Sequence, residues 1–173
     1  HSTKRIGKAG NFMTPNLQEW VRVNRPVNCG RVLEIGSLNV NGGVRQFFSD
    51  ATEYIGIDVV MGAGVDMVLS GHSVTRMFGY KSFDTIICLE TIEHDPQFWE
   101  LINNVRLALR DEGHFILSSP TIGFPYHHPP DYYRFTMAAI HSLMHLADCC
   151  VLKSDSLPDT IGNHSIIAIG IKG

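Results

Sequence analysis

The sequence is short of the features that mark several protein classes. Charged residues make up 18% of the 173 residues, the formal net charge is -3 at pH 7, and no basic stripe is present. This balance argues against a nucleic-acid module that binds through bulk electrostatics. No apolar stretch reaches the length of a membrane span, and no secretory signal is visible. We therefore expect a globular protein that works on neither a membrane nor a nucleic acid.

Cysteine is scarce, with four residues and no CxxC pair. Cys88 lies within the apolar run FDTIICL, which indicates a buried thiol. The adjacent Cys149 and Cys150 are a poor start for a disulfide framework, and we expect both to pack under a sheet. A chain of this kind predicts a reducing compartment and thus a cytoplasmic protein.

The length and the 44% hydrophobic content suit one domain with a substantial core. Residues 1–14 open with HSTKRIGKAGN, which is typical of a mobile or tag-derived end. We therefore predict a flexible N-terminal end over 1–14 and a single domain over 15–173, without internal repeats.

Five short apolar runs predict strands that are buried on both faces of a sheet. Helical spacing of apolar residues predicts helices over 17–23, over 95–110 with Asp95 as cap and Pro96 at its first position, and over 136–147 with Thr136 as cap. This alternation favours a parallel sheet. The predicted strands are RVLEI (31–35), EYIGID (53–58), VDMVL (65–69), FDTIICL (83–89) and HFILSS (114–119).

The chain closes with two further strand-like segments, CVLKSD (150–155) and HSIIAIGIK (164–172). A loop with Pro158 and Gly162, rather than a helix, connects them. We therefore expect these last two strands to pair antiparallel.

A glycine-containing loop, VLEIGSLNVNGG (32–43), follows the first predicted strand and is expected to open a helix. In open α/β sheets, ligands bind at the carboxyl ends of the strands, where free N–H groups of a helix N-terminus add to the site. Leu38 stands where a second glycine of a GxGxxG pattern would be, so the loop alone is a weak signal. Asp58 strengthens it, because an acid at the end of strand two can accept hydrogen bonds from both hydroxyls of a ribose.

Glu34 precedes this glycine on the first predicted strand. A carboxylate there needs a partner, which a ligand cation, a backbone N–H, or a neighbouring lysine or arginine could supply. For Asp58 the structural alternative is a simple turn residue.

The order of four segments resembles that of the class I S-adenosylmethionine-dependent methyltransferases, and most closely their small methyltransferase-11-like group. The segments are LEIGS, YIGID, FDTIICLETIEH and PYHHPPDYYRFT, and the resemblance covers roughly residues 30–146. It implies an α/β, Rossmann-like, doubly wound seven-stranded sheet of order 3-2-1-4-5-7-6 with strand seven antiparallel. It also implies methyl transfer with S-adenosyl-L-methionine as cofactor.

The resemblance also implies which residues surround the cofactor. The first motif and the turn after strand four would hold its methionine part and sulfonium, whereas the loops after strands two and three would hold the ribose and adenine. Ser70 stands where the family usually has an acid, which makes it a weaker, neutral acceptor for the adenine amine. The implied set is Glu34, Gly36, Ser37, Asp58, Val59, Ser70, Gly71, Leu89, Glu90 and Thr91.

The segment LETIEHD (89–95) would lie where the transferable methyl is held. His94 is the best candidate for a general base, since the ordinary titration range of histidine is near neutral pH. The alternative is that His94 orients the loop by a hydrogen bond. Glu93 is expected to face solvent or to cap the following helix.

The segment FPYHHPPDYYRF (124–135) allows three interpretations. Adjacent histidines in an extended chain point to opposite sides, and no spaced motif such as HExxH is present, so we predict no metal site. A proline-stiffened lid over the acceptor and a purely structural segment remain. We favour a combination of these two interpretations. One set of side chains contacts the acceptor, and His128 within it is also catalytic; the other set stabilises the loop. The acceptor set is His127, His128, Asp131 and Tyr133, with Arg134 able to anchor an anionic group or brace the loop; the scaffold set is Tyr132, Arg134, Phe135 and Thr136.

The favoured function is methyl transfer from S-adenosylmethionine to a hydroxyl or amine of a small molecule. One alternative is a nicotinamide-dependent oxidoreductase, because Gly36 and Asp58 suit that cofactor as well. Another is a catalytically weak cofactor-binding subunit of the same fold. Because the chain has almost no insertions, a partner subunit or a second copy could complete the acceptor site.

His141 and His145 lie one helical turn apart without a third ligand, which favours a solvated helix face over a metal site.

Overall fold

Successive residues of the central strands point to opposite sides of one sheet, and each side carries its own core. Ile86 belongs to the core on one face and Ile87 to the core on the other. Phe115 and Ile116 repeat this division on a second strand. The computed structural model describes residues 15–40, 42–124, 130–158 and 164–173.

Seven strands and four α-helices make up this part of the chain. The strands are β1 (Arg31–Ile35), β2 (Glu53–Asp58), β3 (Met67–Val68), β4 (Phe83–Cys88), β5 (Leu109–Pro120), β6 (Cys149–Pro158) and β7 (His164–Lys172). The helices are α1 (Pro15–Asn24), α2 (Val74–Phe78), α3 (Phe98–Ala108) and α4 (Met137–Leu146).

The strand order is β3-β2-β1-β4-β5-β7-β6. The first five strands pair in parallel, and β7 pairs antiparallel with both β5 and β6. Both the predicted seven-stranded order and the antiparallel closing pair are confirmed. Because the order reverses between β1 and β4, the loops after these strands diverge and leave a crevice at their carboxyl ends.

The helices cover both faces of the sheet. One core joins buried residues of α2, α3 and α4 to the sheet, whereas α1 contributes Leu17, Trp20 and Val21 to the other. The cap predicted for α4 is present, since the Thr136 hydroxyl accepts a hydrogen bond from the Ala139 N–H at 3.2 Å. No helix among the described residues is long and apolar enough to cross a membrane.

Two predicted boundaries around α3 are wrong. The helix begins at Phe98 rather than Asp95, because a 3-10 turn over Ile92–His94 precedes it and the Asp95 carboxylate bonds to the Gln97 N–H at 2.9 Å. Strand β5 begins at Leu109, five residues earlier than expected. Leu109 fits the helical spacing of apolar residues, but it pairs with Phe83 instead and is fully buried.

Three further expectations need correction. The loop after β1 leads to a short 3-10 helix, Arg45–Phe48, and not to an α-helix whose N–H groups face the crevice. The third strand comprises two residues rather than five. Cys149 is buried as expected, but Cys150 is exposed, because neighbouring residues of β6 point to opposite sides. The predicted flexible end, 1–14, lies outside the described residues.

Candidate functional site

A cavity of about 530 Å³ opens at the carboxyl ends of β1, β2, β3 and β4. It brings together eight of the residues that the sequence singled out, which are Gly36, Asp58, Val59, Ser70, Gly71, Glu90, Thr91 and His94. Glu34, Ser37 and Leu89 are not part of its lining, although all three are buried next to lining residues in the chain.

Gly36 allows the loops after β1 and β4 to meet. Its φ of +78° lies in the left-handed region, and a Cβ placed on it would lie 2.0 Å from the Thr91 hydroxyl oxygen. The backbone N–H groups of Gly36 and Ser37 both donate to the Ile57 carbonyl, at 2.9 and 3.0 Å. A side chain at this position would therefore force the two loops apart and change the shape of the crevice.

Asp58 is held as an acceptor at the end of β2. Its Oδ2 accepts from the Leu38 N–H at 3.3 Å, and its Oδ1 accepts from the Val60 N–H at 3.0 Å. Each carboxylate oxygen can accept a further hydrogen bond. The carboxylate can thus accept hydrogen bonds from a pair of neighbouring hydroxyls. Its bond to the Val60 N–H also makes Asp58 a turn residue, which was the alternative interpretation of this position.

A contact between two loops on the β3 side was not foreseen from the sequence. Nε2 of His72 lies 2.6 Å from Oδ2 of Asp95, and both side chains line the cavity. Ser70 caps the short helix that carries His72, accepting from its N–H at 3.2 Å. The pair joins the loop after β3 to the loop after β4. Because His72 and Asp95 are 23 residues apart and belong to no common sequence motif, the sequence alone did not indicate this contact.

Glu90 lies in the wall of the cavity with a strained backbone. Its φ is +46°, which is uncommon for a residue other than glycine and often marks a functional position. The hydroxyls of Ser118 and Ser165 donate to its two carboxylate oxygens, at 2.8 and 3.2 Å. Burial raises the pKa of Glu90 to about 7, while these two hydrogen bonds act in the opposite direction.

Glu34 finds its partner in a tyrosine rather than in a lysine, an arginine or a backbone N–H. The Tyr54 hydroxyl donates to Oε2 of Glu34 at 2.7 Å. The side chain is 6% exposed, and burial raises the pKa of Glu34 to about 7. Arg45 stacks over the Tyr54 ring, 4.8 Å from its centre, and pairs with Asp66, so its charge is shared within this group.

The imidazole of His94 lies between two carboxyl groups. Its Nδ1 is 2.9 Å from Oδ1 of Asp131, and its Nε2 is 3.6 Å from Oε1 of Glu93. Glu93 is fully buried, so the expectation that it faces solvent or caps a helix is wrong. The 3-10 turn directs its side chain inward, where burial, followed by the charge of Glu90, raises its pKa well above the ordinary range.

The segment before α4 is anchored to this turn. The Glu93 carbonyl accepts from the N–H groups of Tyr132 and Tyr133, at 2.8 and 3.3 Å. Asp131 also forms an ion pair with Arg134. The Tyr133 hydroxyl donates to the Pro96 carbonyl at 3.0 Å, and its ring centre lies 5.0 Å from that of Phe98.

The members of FPYHHPPDYYRF are therefore placed differently from one another. Asp131, Tyr133 and Arg134 do not line the cavity, and they contact other residues of the chain. Tyr132 is 54% exposed, which corrects its expected place in the core, whereas Phe135 is buried as expected. His127 and His128 lie outside the described residues.

Within the part of the chain that the structure describes, no three histidine, cysteine, aspartate or glutamate side chains are grouped so that they could hold a metal ion. Of the two histidines on α4, His141 contacts the Ser154 hydroxyl at 2.9 Å, and His145 is exposed.

Comparison with protein-family models and with curated protein sequences gave no match. Solved structures do match over most of the chain. Burkholderia thailandensis 1,6-didemethyltoxoflavin-N1-methyltransferase, solved with 1,6-didemethyltoxoflavin and S-adenosylhomocysteine, has a TM-score of 0.72 at 16% identity. The match covers 90% of this chain and 76% of that one.

Two further structures are similar over comparable lengths. A S-adenosylmethionine-dependent methyltransferase from Archaeoglobus fulgidus has a TM-score of 0.70 at 14% identity, covering 90% of this chain and 93% of that one. A chain in a complex that contains the Haloferax volcanii Trm112 methyltransferase activator has a TM-score of 0.64 at 13% identity, covering 88% and 87%. At such identities the likeness shows the fold, which is that of the class I methyltransferases.

Substitution of Gly36 by alanine should destabilise the protein, because it separates the loops after β1 and β4. The positive φ costs about 1–3 kcal/mol for a residue with a Cβ, and the clash with Thr91 adds about 1–3 kcal/mol of overpacking. Urea unfolding of Gly36→Ala should show this loss. Gly43→Ala is the matched control, because its φ is not positive and its new Cβ would lie 3.6 Å from the nearest atom. Equal stability of the two variants would contradict the assigned contact.

The buried Glu34 carboxyl predicts that stability depends on pH. Its folded pKa is about 7 against an ordinary 4.5, so the folded state binds more protons between these values and stability falls as the pH rises through them. The Glu34→Gln variant has no carboxyl to ionise at this position, so it should not lose stability in this way as the pH rises. Its free energy of unfolding relative to wild type should therefore rise by roughly 2–3 kcal/mol between pH 4.5 and pH 8. Urea unfolding at several pH values measures the difference, and Glu112→Gln, at an exposed glutamate, should show none.

Proposed function

We propose that the protein is a S-adenosylmethionine-dependent methyltransferase that acts on a hydroxyl or amine of a small molecule. The observation that carries the proposal is the cavity at the switch point of a methyltransferase fold, with Gly36, Asp58 and Glu90 in its wall. Ligands of such folds bind at this place. Solved structures of the same fold include one with S-adenosylhomocysteine bound.

The residues around the cavity fit the parts of this cofactor. The Asp58 carboxylate would accept from the ribose hydroxyls, and Val59 and Gly71 would flank the adenine. Because the Ser70 oxygen already accepts from a backbone N–H, it has one acceptor site left for the adenine amine. Gly36 and Ser37, with Glu34 behind them, would hold the methionine part, and Leu89, Glu90 and Thr91 would lie beneath the sulfonium.

When bound, the cofactor supplies an activated methyl group that an acceptor atom displaces in line. The chain's own contribution is alignment and exclusion of water. The His72–Asp95 contact and the Gly36–Thr91 contact fix the loops on either side of the cavity, so its width is set before a ligand arrives.

The charge of the cavity supports a hydroxyl or amine acceptor. No lysine or arginine is among the described residues that line it, whereas three carboxylates are, so these residues offer an anionic acceptor no cationic partner. His127, His128, Asp131, Tyr133 and Arg134 remain the proposed acceptor rim. Within it, Asp131 and Arg134 neutralise each other, which suits bracing better than recognition of an anion.

A partner subunit or a second copy would complete the acceptor site in this proposal. Two exposed aromatic side chains, Trp99 and Tyr132, flank the rings of Phe98 and Tyr133, on α3 and on the segment before α4. One solved structure of this fold is in a complex with a methyltransferase activator.

A cytoplasmic location remains a prediction of the sequence.

Calorimetric titration tests the cofactor. S-adenosylhomocysteine should bind and NAD should not, and Asp58→Ala should weaken binding at least about tenfold because the ribose loses its acceptors. Asp111→Ala is the matched control, since Asp111 is an exposed aspartate in an ion pair with Lys81 at the amino end of β5. Tight NAD binding without S-adenosylhomocysteine binding would favour the oxidoreductase instead.

His94 should affect turnover more than cofactor binding. Because its imidazole holds Asp131 against the β4 loop, His94→Ala should lower labelled methyl transfer into a metabolite extract at least about tenfold, with S-adenosylhomocysteine affinity nearly unchanged. Added imidazole should restore the rate only if His94 acts as the base. Unchanged transfer would remove His94 from both roles. Ser142→Ala, on the exposed face of α4, is the control for surface changes.

A further inference from the structure

Glu90 differs from the other acids of the cavity in the partners that surround it. Asp95 faces His72, which can carry a positive charge, and Asp58 is fixed by two backbone N–H groups. The carboxylate of Glu90 is held by two neutral serine hydroxyls, and no described lysine or arginine forms an ion pair with it. A buried carboxylate in this setting is best stabilised by a cation that arrives with the ligand.

The serines also fix where this charge lies. Ser118 is on β5 and Ser165 on β7, and both are buried, so each carboxylate oxygen is tied to a different strand of the sheet. The backbone N–H of Glu90 donates to the Ser118 hydroxyl at 3.1 Å as well. The left-handed backbone of Glu90 is therefore kept in the cavity wall, with its carboxylate tied to β5 and β7, at a cost in strain.

The titratable groups around Glu90 compensate its charge only in part. Glu93 lies on the same loop and is driven towards its neutral form by burial. Arg134 and Asp131 lie on the segment before α4 and pair with each other, and Asp131 also contacts His94. Arg134 lowers the pKa of Glu90 and Asp131 raises it, and each of these effects is smaller than that of burial.

We propose that the Glu90 carboxylate makes this site prefer the positively charged methyl donor over its neutral product. This inference rests on the proposed function, because it takes S-adenosylmethionine as the donor. The donor carries a sulfonium, whereas S-adenosylhomocysteine has an uncharged thioether in the same place. Attraction between carboxylate and sulfonium would be lost when the methyl group leaves, which would favour product release.

The preference should grow as Glu90 ionises. Its pKa of about 7 in the empty site means that the carboxylate is largely neutral at pH 6 and largely charged at pH 8.5. A bound sulfonium favours the ionised form of Glu90, so binding of the donor near neutral pH should release a proton. Binding of the uncharged product should release fewer protons.

The test compares donor and product in wild type and Glu90→Gln. Calorimetric titration gives the ratio of the dissociation constant of S-adenosylhomocysteine to that of S-adenosylmethionine, at pH 6 and at pH 8.5. At pH 8.5 the wild-type ratio should exceed that of Glu90→Gln by about tenfold, and at pH 6 the two ratios should converge. Because wild type and variant are compared at the same pH, any effect of ligand ionisation on the dissociation constants cancels.

Glu112→Gln is the matched control. Glu112 is an exposed glutamate with a φ of +61°, and it lies at the opposite end of β5 from the cavity. It should behave as wild type at both pH values. Thermal unfolding of each variant checks that the fold is kept. Ser165→Ala gives a second, milder route to the same group: it removes a hydrogen bond that lowers the pKa of Glu90, so the preference should appear at a higher pH than in wild type.

The outcomes separate the two proposals. If both ligands bind and Glu90→Gln has the wild-type ratio at pH 8.5, the charge discrimination is wrong while the proposed function stands. If neither ligand binds to wild type, the proposed function itself fails. A loss of affinity for both ligands to the same extent would assign Glu90 to uniform cofactor binding and would also overturn the inference.

Discussion

The contact between the loops after β1 and β4 is the constraint on which the site depends. Gly36 leaves room for Thr91, and any larger residue would occupy the space of the threonine hydroxyl. This close approach fixes the distance between the wall that carries Gly36 and the wall that carries Glu90 and His94. The sheet beneath holds both loops rigidly, because β1 and β4 are neighbours whose buried residues lie in both cores.

The site is built at a cost to stability. Two buried glutamates, Glu34 and Glu93, and the partly buried Glu90 surround it, and burial raises the pKa of each. Such carboxyls are tolerated where a ligand or a reaction uses them, and clusters of this kind are typical of functional sites. The strained backbone of Glu90 adds to that cost in the same place. Hydroxyls of Tyr54, Ser118 and Ser165, rather than cations, supply the hydrogen bonds to Glu34 and Glu90, so the charge balance is left open for a positively charged ligand.

Much of the fold follows from the sequence, because apolar runs of β-branched residues form strands wherever both faces are covered. The linear spacing of Gly36 and Asp58 likewise locates the first two walls of the cavity. Contacts between loops could not be read in this way. The His72–Asp95 pair, the inward turn of Glu93 and the contact of Asp131 with His94 each join residues of different segments or depend on a 3-10 turn that no motif marks. The early start of β5 has the same origin, since pairing of Leu109 with Phe83 overrides its helical spacing.

The central claim is that S-adenosylmethionine occupies the cavity with its ribose on Asp58. A crystal structure of the protein with S-adenosylhomocysteine tests it most directly. The account predicts both ribose hydroxyls within hydrogen-bond distance of the Asp58 carboxylate, with the thioether sulfur beside Glu90. A ligand bound elsewhere on the chain, or one whose ribose does not contact Asp58, would contradict it.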